Sequence, residues 1–305
     1  MRKFLLLILI IVSYLLFDLL KISHNADHSL FYVKNTSLYE TVRKDGSFGS
    51  SIIFFIIDHI EAIKNKIQTG EYAIHYGDSA FSLLDSMLSR SVVIRKLTIP
   101  EGYTVQMIVE LLNKNPLLCG DIKTIPNEAS LFPSTYFYKF GDSRESLIIK
   151  MQTEMEKIIK KLQQKNLTNL TIEQIIILAS IIEKETGVNS ERKIISSVFH
   201  NRLSKNMRLQ SDPTVIYALS NGYGKIENKL TRKDLRYQSP FNTYRSSGLP
   251  PTAICCPGKA SLEAAIAPAD TDFLYFVADK NQESHLFSKD YNEHKKNIEN
   301  IKTKH

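Results

Sequence analysis

The sequence predicts an α+β protein made of an N-terminal transmembrane helix, a small α+β lobe and a larger α+β domain. Three observations predict it. An apolar run opens the chain; short strand-like runs then mix with small helices; longer segments with 3.6-residue apolar periodicity fill the second half. The 305 residues suffice for two domains beside an anchor. A content of 43% apolar and 23% charged residues is that of a folded chain. The implied boundaries are 1–21 for a cytoplasmic stub and anchor, 22–115 for a connector and lobe, and 116–305 for the larger domain.

The anchor rests on Met1-Arg2-Lys3 followed by residues 4–20, which are apolar except for Ser13, Tyr14 and Asp18. These 17 residues are at the short end for a spanning helix. No clear small-x-small cleavage site follows, so an uncleaved anchor is expected rather than a signal peptide. Arg2 and Lys3 would stay cytoplasmic, which places the remainder of the chain outside the inner face of the membrane.

The connector is polar, with one strand at residues 30–33, and residues 51–57 read as a core helix or strand. Residues 70–74 alternate like a strand and end at the turn Tyr76-Gly77-Asp78. Ser79 caps a helix over 81–88, residues 92–99 are strand-like, and Pro100-Glu101-Gly102 is a turn. Thr104 caps a helix over 105–112. A long charged helix covers 143–164. Thr171-Ile172-Glu173-Gln174 has the form of a capping box and opens an apolar, hence buried, helix. Gly187 stands where a C-terminal cap glycine belongs. A further helix starts at Asn189 or Ser190 and runs through Leu203.

Several chemistries are excluded. Net charge is +7, from 39 Lys and Arg against 32 Asp and Glu, and it is spread along the chain, as on a solvated surface. An anionic membrane or wall surface is the next candidate partner; without a basic helix or aromatic-basic motif, nucleic acid is not expected. Cys119, Cys255 and Cys256 are odd in number and fit neither a disulfide framework nor a metal site. His200, His285 and His294 are scattered, and phosphate-loop and nucleophile-elbow patterns are missing. No metal or cofactor is expected.

Glu183 closes the apolar run in Ala-Ser-Ile-Ile-Glu-Lys-Glu-Thr-Gly. A carboxyl where a buried helix meets something polar tends to keep its proton, as a general acid must. The alternative is an ordinary solvated helix end. Glu185 lies two residues on and so points to nearly the opposite side of the helix; the two do not form a facing acid–nucleophile pair. The stretches 209–214 and 237–251 are rich in amide, hydroxyl and aromatic side chains that suit a polyhydroxylated ligand, although Asx turns explain each equally well.

At these residues the chain resembles the YceG-like (MltG-type) endolytic murein transglycosylases. The resemblance runs from Gly70 to Asn297 through Leu178-Ala-Ser-Ile-Ile-Glu-Lys-Glu-Thr-Gly187, Val198-Phe-His-Asn-Arg-Leu203 and Met207-Arg-Leu-Gln-Ser-Asp-Pro-Thr-Val-Ile-Tyr217. Asn242-Thr-Tyr244, Gly248-Leu-Pro-Pro251 and Leu274-Tyr-Phe-Val-Ala278 follow in the family's order. It implies a single-pass anchor in the inner membrane, a LysM-like small lobe and a catalytic domain in the periplasm, with Glu183 catalytic and Gln210, Asp212, Asn242, Thr243 and Tyr244 in the glycan groove. It implies cleavage of the β-1,4 bond between N-acetylmuramic acid and N-acetylglucosamine within peptidoglycan strands. The products carry 1,6-anhydro ends, the reaction would terminate nascent strands, and peptidoglycan synthases are implied partners. A hydrolytic muramidase and a non-catalytic wall-binding scaffold are the alternatives. The chain departs from the family pattern at Ala129 and Thr252, where glycine is usual, at Ser134, where aspartate is, and at Glu283, where Gly-x-His-x-Phe becomes Glu283-Ser-His-Leu-Phe287.

Overall fold

The structure, a computed structural model, describes residues 2–20, 29–33, 38–45, 52–75, 78–281 and 284–303. Most of the connector, the Tyr76-Gly77 turn and Glu283 lie outside the described residues. The mixed α+β class holds. The chain divides into two units: Met1–Lys96 with Leu117–Cys119 and Phe137–Asp142, and Leu97–Pro116 with Gly120–Tyr136 and Ser143–His305.

The first unit contains α1 (Arg2–Leu20), β1 (Ser29–Val33), α2 (Leu38–Asp45), α3 (Ile52–Asp58), α4 (Glu61–Lys64), β2 (Gly70–Ile74) and α5 (Ala80–Leu88). β1 and β2 pair antiparallel, with Phe31 opposite Tyr72 and Val33 opposite Gly70. Side chains two apart share a strand face, so Phe31 and Val33 enter the core together with Tyr72, Ile74, Phe54, Ile57, Leu83 and Met87. The Asp58 carboxylate accepts the Leu38 and Tyr39 N–H groups at 2.9 and 3.0 Å, satisfying donors that α2 leaves open at its N-terminus. Of the stretch expected as a core helix or strand, the described residues form the helix α3, with Phe54 and Ile57 in the core.

The expected transmembrane helix is corrected. Among the described residues, no helix is long and apolar enough to cross a membrane. The apolar stretch falls at α1, whose 19 residues include Arg2, Lys3 and Asp18. At about 1.5 Å per residue the run between the charged ends falls short of a hydrocarbon core of about 30 Å.

The strand expected over 92–99 shrinks to β3 (Arg95–Thr98). Arg90 is left-handed, at φ 59°, and its carbonyl accepts the Val92 N–H, so a turn consumes the residues before it. β3 pairs with β4 (Thr135–Tyr138).

The second unit adds α6 (Val105–Lys114), α7 (Arg144–Gln163), α8 (Ile172–Glu185), α9 (Arg192–Ser204), α10 (Asp212–Leu219), α11 (Lys259–Ile266), the antiparallel pair β5 (Tyr275–Ala278) and β6 (His285–Ser288), and α12 (Tyr291–Thr303). α8 is its centre. Ile175, Leu178, Ala179, Ile181 and Ile182 are buried on all sides of the helix, among Met155 of α7, Ile195 and Phe199 of α9, and Leu262 and Ala265 of α11. The capping box is present: Thr171 Oγ1 accepts the Gln174 N–H, and Gln174 Oε1 accepts the Thr171 N–H.

The ends of α8 and α9 differ from expectation. Thr186 is extended and its hydroxyl accepts the Val188 N–H at 2.9 Å, so α8 stops without a left-handed glycine at Gly187. α9 starts at Arg192 because Asn189 accepts from Arg192 rather than capping the helix. Stretch 209–214, expected as a loop, enters α10 at Asp212 with Pro213 in the first turn. Ala129, which replaces the family's glycine, sits at φ 61°, where a side chain costs roughly 1 kcal/mol.

Candidate active site

The site is assembled around the C-terminal turn of α8. Ser180, buried within the helix, accepts the Ile254 N–H at 3.0 Å, and the Cys255 thiol donates to the Ser180 carbonyl at 3.3 Å. This lays the segment from Ala253 to Gly258 along the helix. Cys256 then pairs with the turn at residues 101–103: the Gly102 N–H donates to the Cys256 carbonyl at 3.0 Å and the Cys256 N–H to the Tyr103 carbonyl at 2.8 Å. Gly258, which precedes α11, ends up donating its N–H to Glu183 Oε2 at 2.9 Å. The carboxyl therefore lies at the N-terminus of α11, where the helix dipole favours negative charge.

Arg192 of α9 supplies the second donor. Its Nη2 reaches Glu183 Oε1 at 3.4 Å, its Nε donates to Ser261 Oγ at 3.1 Å, and its Nη1 donates to Asn189 Oδ1. Both side chains are enclosed, Arg192 at 7% and Glu183 at 6% exposure. Glu183 is thus not a solvated helix end. Both of its oxygens are oriented by groups fixed elsewhere in the fold.

The Pro-Glu-Gly turn covers this pair. Gly102 has φ 77°, and a Cβ there would lie 3.7 Å from Glu183 Cγ, so the backbone rests on the glutamate. Lys184 Nζ donates to the Gly102 carbonyl at 3.4 Å. Glu101 crosses Gly258 so closely that a Cβ on the glycine would sit 2.0 Å from the Glu101 Cδ. Burial pushes the Glu101 carboxyl above the ordinary carboxylate range, the neighbouring Glu183 adds to this, and Arg192 opposes it.

Glu185 belongs to a different cluster, as helical geometry requires. It accepts a short hydrogen bond from the Ser211 hydroxyl. Burial pushes its carboxyl up to about 7; the Ser211 bond pulls it down, the Asp212 charge pushes it up and Arg202 pulls it down. The predicted groove residues gather here. The Tyr244 hydroxyl donates to Asp212 Oδ1 at 2.6 Å, and the Gln210 N–H donates to the Thr243 carbonyl at 3.2 Å. Thr243 Oγ1 accepts the Ser211 N–H at 2.9 Å and bonds Thr214 Oγ1 at 2.9 Å. Asn242 donates to the Leu235 and Tyr237 carbonyls at 3.1 and 2.8 Å and accepts the Tyr244 N–H at 2.9 Å. Asn242 and Thr243 are buried, whereas Gln210 and Asp212 are exposed and Tyr244 is half-buried. Thr243 binds the two loops to one another and Asn242 braces its own; the others face outward beside them.

Arg202 holds this loop system to α9. Its Nε donates to the Leu274 carbonyl and its Nη1 to the Leu209 carbonyl, each at 2.7 Å. Arg202→Met would leave both carbonyls unsatisfied and is expected to cost about 2–4 kcal/mol, measured by urea unfolding. A loss under ~0.5 kcal/mol would show that water replaces the guanidinium freely.

Sequence reasoning did not single out Arg192, Glu101 or Gly258. Arg192 is nine residues from Glu183 across a helix–turn–helix, which no helical spacing links. Pro257-Gly258 ahead of a helix was the one local signal. His285 instead pairs with Glu191, accepting or donating at 2.7 Å through Nδ1, while its N–H donates to the same carboxylate at 2.8 Å. Among the described residues no cluster of three His, Cys, Asp or Glu side chains is arranged to hold a metal ion.

The family model described as "YceG-like family" matches residues 33–300. An endolytic murein transglycosylase of Bacillus subtilis (strain 168) is 41% identical over 175 residues, covering 56% of this chain and 47% of the relative. An endolytic murein transglycosylase of Streptococcus pneumoniae serotype 2 (strain D39 / NCTC 7466) is 29% identical over 251 residues, covering 68% of this chain and 44% of the relative. The chain therefore spans about half the length of the curated relatives it matches. A crystal structure of a yceG-like protein from Listeria monocytogenes superposes with a TM-score of 0.57 at 31% identity, covering 88% of this chain and 99% of that one.

Proposed function

The chain belongs to the YceG-like family, and on that premise we propose that it is an endolytic murein transglycosylase. It cleaves the bond from N-acetylmuramic acid to N-acetylglucosamine inside peptidoglycan strands and leaves 1,6-anhydro ends. The observation that carries this reading is Glu183, an enclosed carboxyl gripped by the Gly258 N–H and Arg192 at the end of a buried helix.

Glu183 acts twice. As an acid it gives a proton to the glycosidic oxygen, and the C1–O4 electrons leave with that oxygen. Positive charge builds at C1 and at the ring oxygen. The carboxylate then takes the proton of the muramyl C6 hydroxyl while that oxygen bonds C1 and closes the anhydro ring. One carboxyl serves both steps, which fits the orientation of Glu185 toward Ser211. Enclosure of Glu183 disfavours attack by water over ring closure. Gln210, Asp212 and Tyr244 hold the glycan, and Asn242 and Thr243 shape the loops that present them.

The relatives' names support peptidoglycan as substrate. Since peptidoglycan lies outside the cytoplasmic membrane, the catalytic unit works on that side. It ends nascent strands beside the peptidoglycan synthases, and the stretch from Gly70 through Tyr103 with the helix after it acts as the LysM-like glycan-holding lobe.

Mass analysis of purified peptidoglycan digested with the protein tests the reading. Anhydro-muropeptides are the expected products. Reducing ends alone would replace it with a hydrolytic muramidase, and binding without cleavage at every pH and substrate length would replace it with a scaffold.

A further inference from the structure

We propose that Glu101 is a positioning residue of this site that acts through Glu183 by keeping one proton within the pair. The inference rests on the transglycosylase reading above. Its basis is geometric. Gly258 is the crossing point of the two side chains: its N–H holds Glu183 Oε2 at 2.9 Å, and its Cα lies so close to Glu101 that a methyl group there would overlap the carboxyl at 2.0 Å. Gly102, next in the chain, rests on Glu183 itself. Glu183 is enclosed, whereas Glu101 reaches the exposed side of the turn, open to an incoming glycan.

A neighbouring carboxylate raises a carboxyl's affinity for a proton, and Glu183 is that neighbour for Glu101. The upward push on Glu101 from burial and from Glu183 agrees with that arrangement. Other titratable groups lie around the pair, among them Glu128, whose carboxyl burial pushes up and which accepts the Val105 N–H at 2.9 Å. Arg192 of α9 counters one negative charge, and Lys184 of α8 directs its ammonium to the Gly102 carbonyl. Burial pushes the Cys255 thiol, on the segment before Gly258, well above its ordinary range, so it stays neutral. Glu185 of α8 also titrates, but against Ser211 and Asp212.

The proton balance closes over one turnover. The pair starts with one proton and gives it to the glycosidic oxygen as the C1–O4 bond breaks. Arg192 then faces two negative charges. When the C6 oxygen bonds C1, its proton returns to the pair, which regains its starting state with nothing consumed.

Two substitutions separate this from a structural role. Glu101→Gln removes the neighbouring charge, so the last proton leaves the site at lower pH. The alkaline limb of the pH–rate profile for anhydro-product release is expected to move down by about one unit, with roughly tenfold less activity at pH 7. Glu101→Asp keeps the charge and is expected to retain the limb. Gly258→Ala displaces the Glu101 carboxyl while keeping the N–H on Glu183, and is expected to reproduce the Gln shift. Any contribution of Glu185 to the limb is common to all these proteins and cancels in the comparison. Rates are referred to the folded fraction from thermal unfolding. Limbs that coincide with the unsubstituted protein in both Glu101→Gln and Gly258→Ala overturn the inference and leave Glu183 in place. A protein that releases no anhydro product before any substitution overturns the transglycosylase reading instead.

Discussion

Glu183→Gln is expected to lower the release of anhydro-muropeptides by about 10³-fold or more while leaving the fold intact. The size follows from double use. A positioned acid or base contributes roughly 10²–10⁴-fold, and in the proposed mechanism the same carboxyl protonates the leaving oxygen and later accepts the C6 proton. Glutamine keeps the shape and can still accept from one of the two donors. Arg192 retains Asn189 and Ser261 as partners, so the substitution does not leave it stranded. Unfolding in urea should change by no more than about 1 kcal/mol, since hydrogen-bonded contacts are exchanged rather than lost. Glycan binding by the variant, followed by pull-down with insoluble peptidoglycan, should persist. A variant that still cleaves at the original rate would remove Glu183 from the mechanism.

Glu185 predicts a second large effect, on stability rather than on rate. Its carboxyl is pushed from an ordinary value of 4.5 up to about 7 in the folded protein. The folded state therefore holds a proton that the unfolded chain has already released between these values. Stability is full below about 4.5 and falls as pH rises through about 7. A shift of that size corresponds to about 3 kcal/mol between the two ends. Glu185→Gln keeps an acceptor for the Ser211 hydroxyl and has nothing to ionise. Its urea midpoint should lose the fall with pH that Glu185 adds between pH 5 and pH 8, and at pH 8 the variant should be the more stable protein. Parallel pH dependence in the two proteins would show that Glu185 is solvated and that its burial does not govern its ionisation.

These two glutamates show where the sequence was readable. Their spacing of two along a helix already separated them, because 3.6-residue geometry leaves no other outcome, and they face Gly258 and Ser211 respectively. The capping box at Thr171 and the buried character of α8 are likewise local, set by neighbours within one or two turns. The end of α8 was misread at Gly187 because a threonine hydroxyl did the work expected of a glycine. The N-terminal run was misread because its apolar character was legible while its length left no margin for the charges at either end.

The groove residues show the opposite limit. Amide and hydroxyl side chains in 209–214 and 237–251 looked equally fit for a ligand or for a turn. Thr243 is tied to Ser211 and Thr214, contacts that exist only once the two loops meet, while Asn242 is tied to carbonyls of its own loop. Gln210 and Asp212 come from the same stretches and face outward.

By itself the sequence determined the α+β class, the buried helix, its cap and the glutamate at its end, because these depend on periodicity and on partners a few residues away. Tertiary structure alone decided what that glutamate meets. Arg192 arrives from the following helix, Gly258 from 75 residues on and Glu101 from a turn 82 residues before it. No spacing rule links such positions. They converge because Ser180 anchors the segment leading to Gly258 and Cys256 anchors the turn beside Glu101, so packing around one apolar helix brings the charges together.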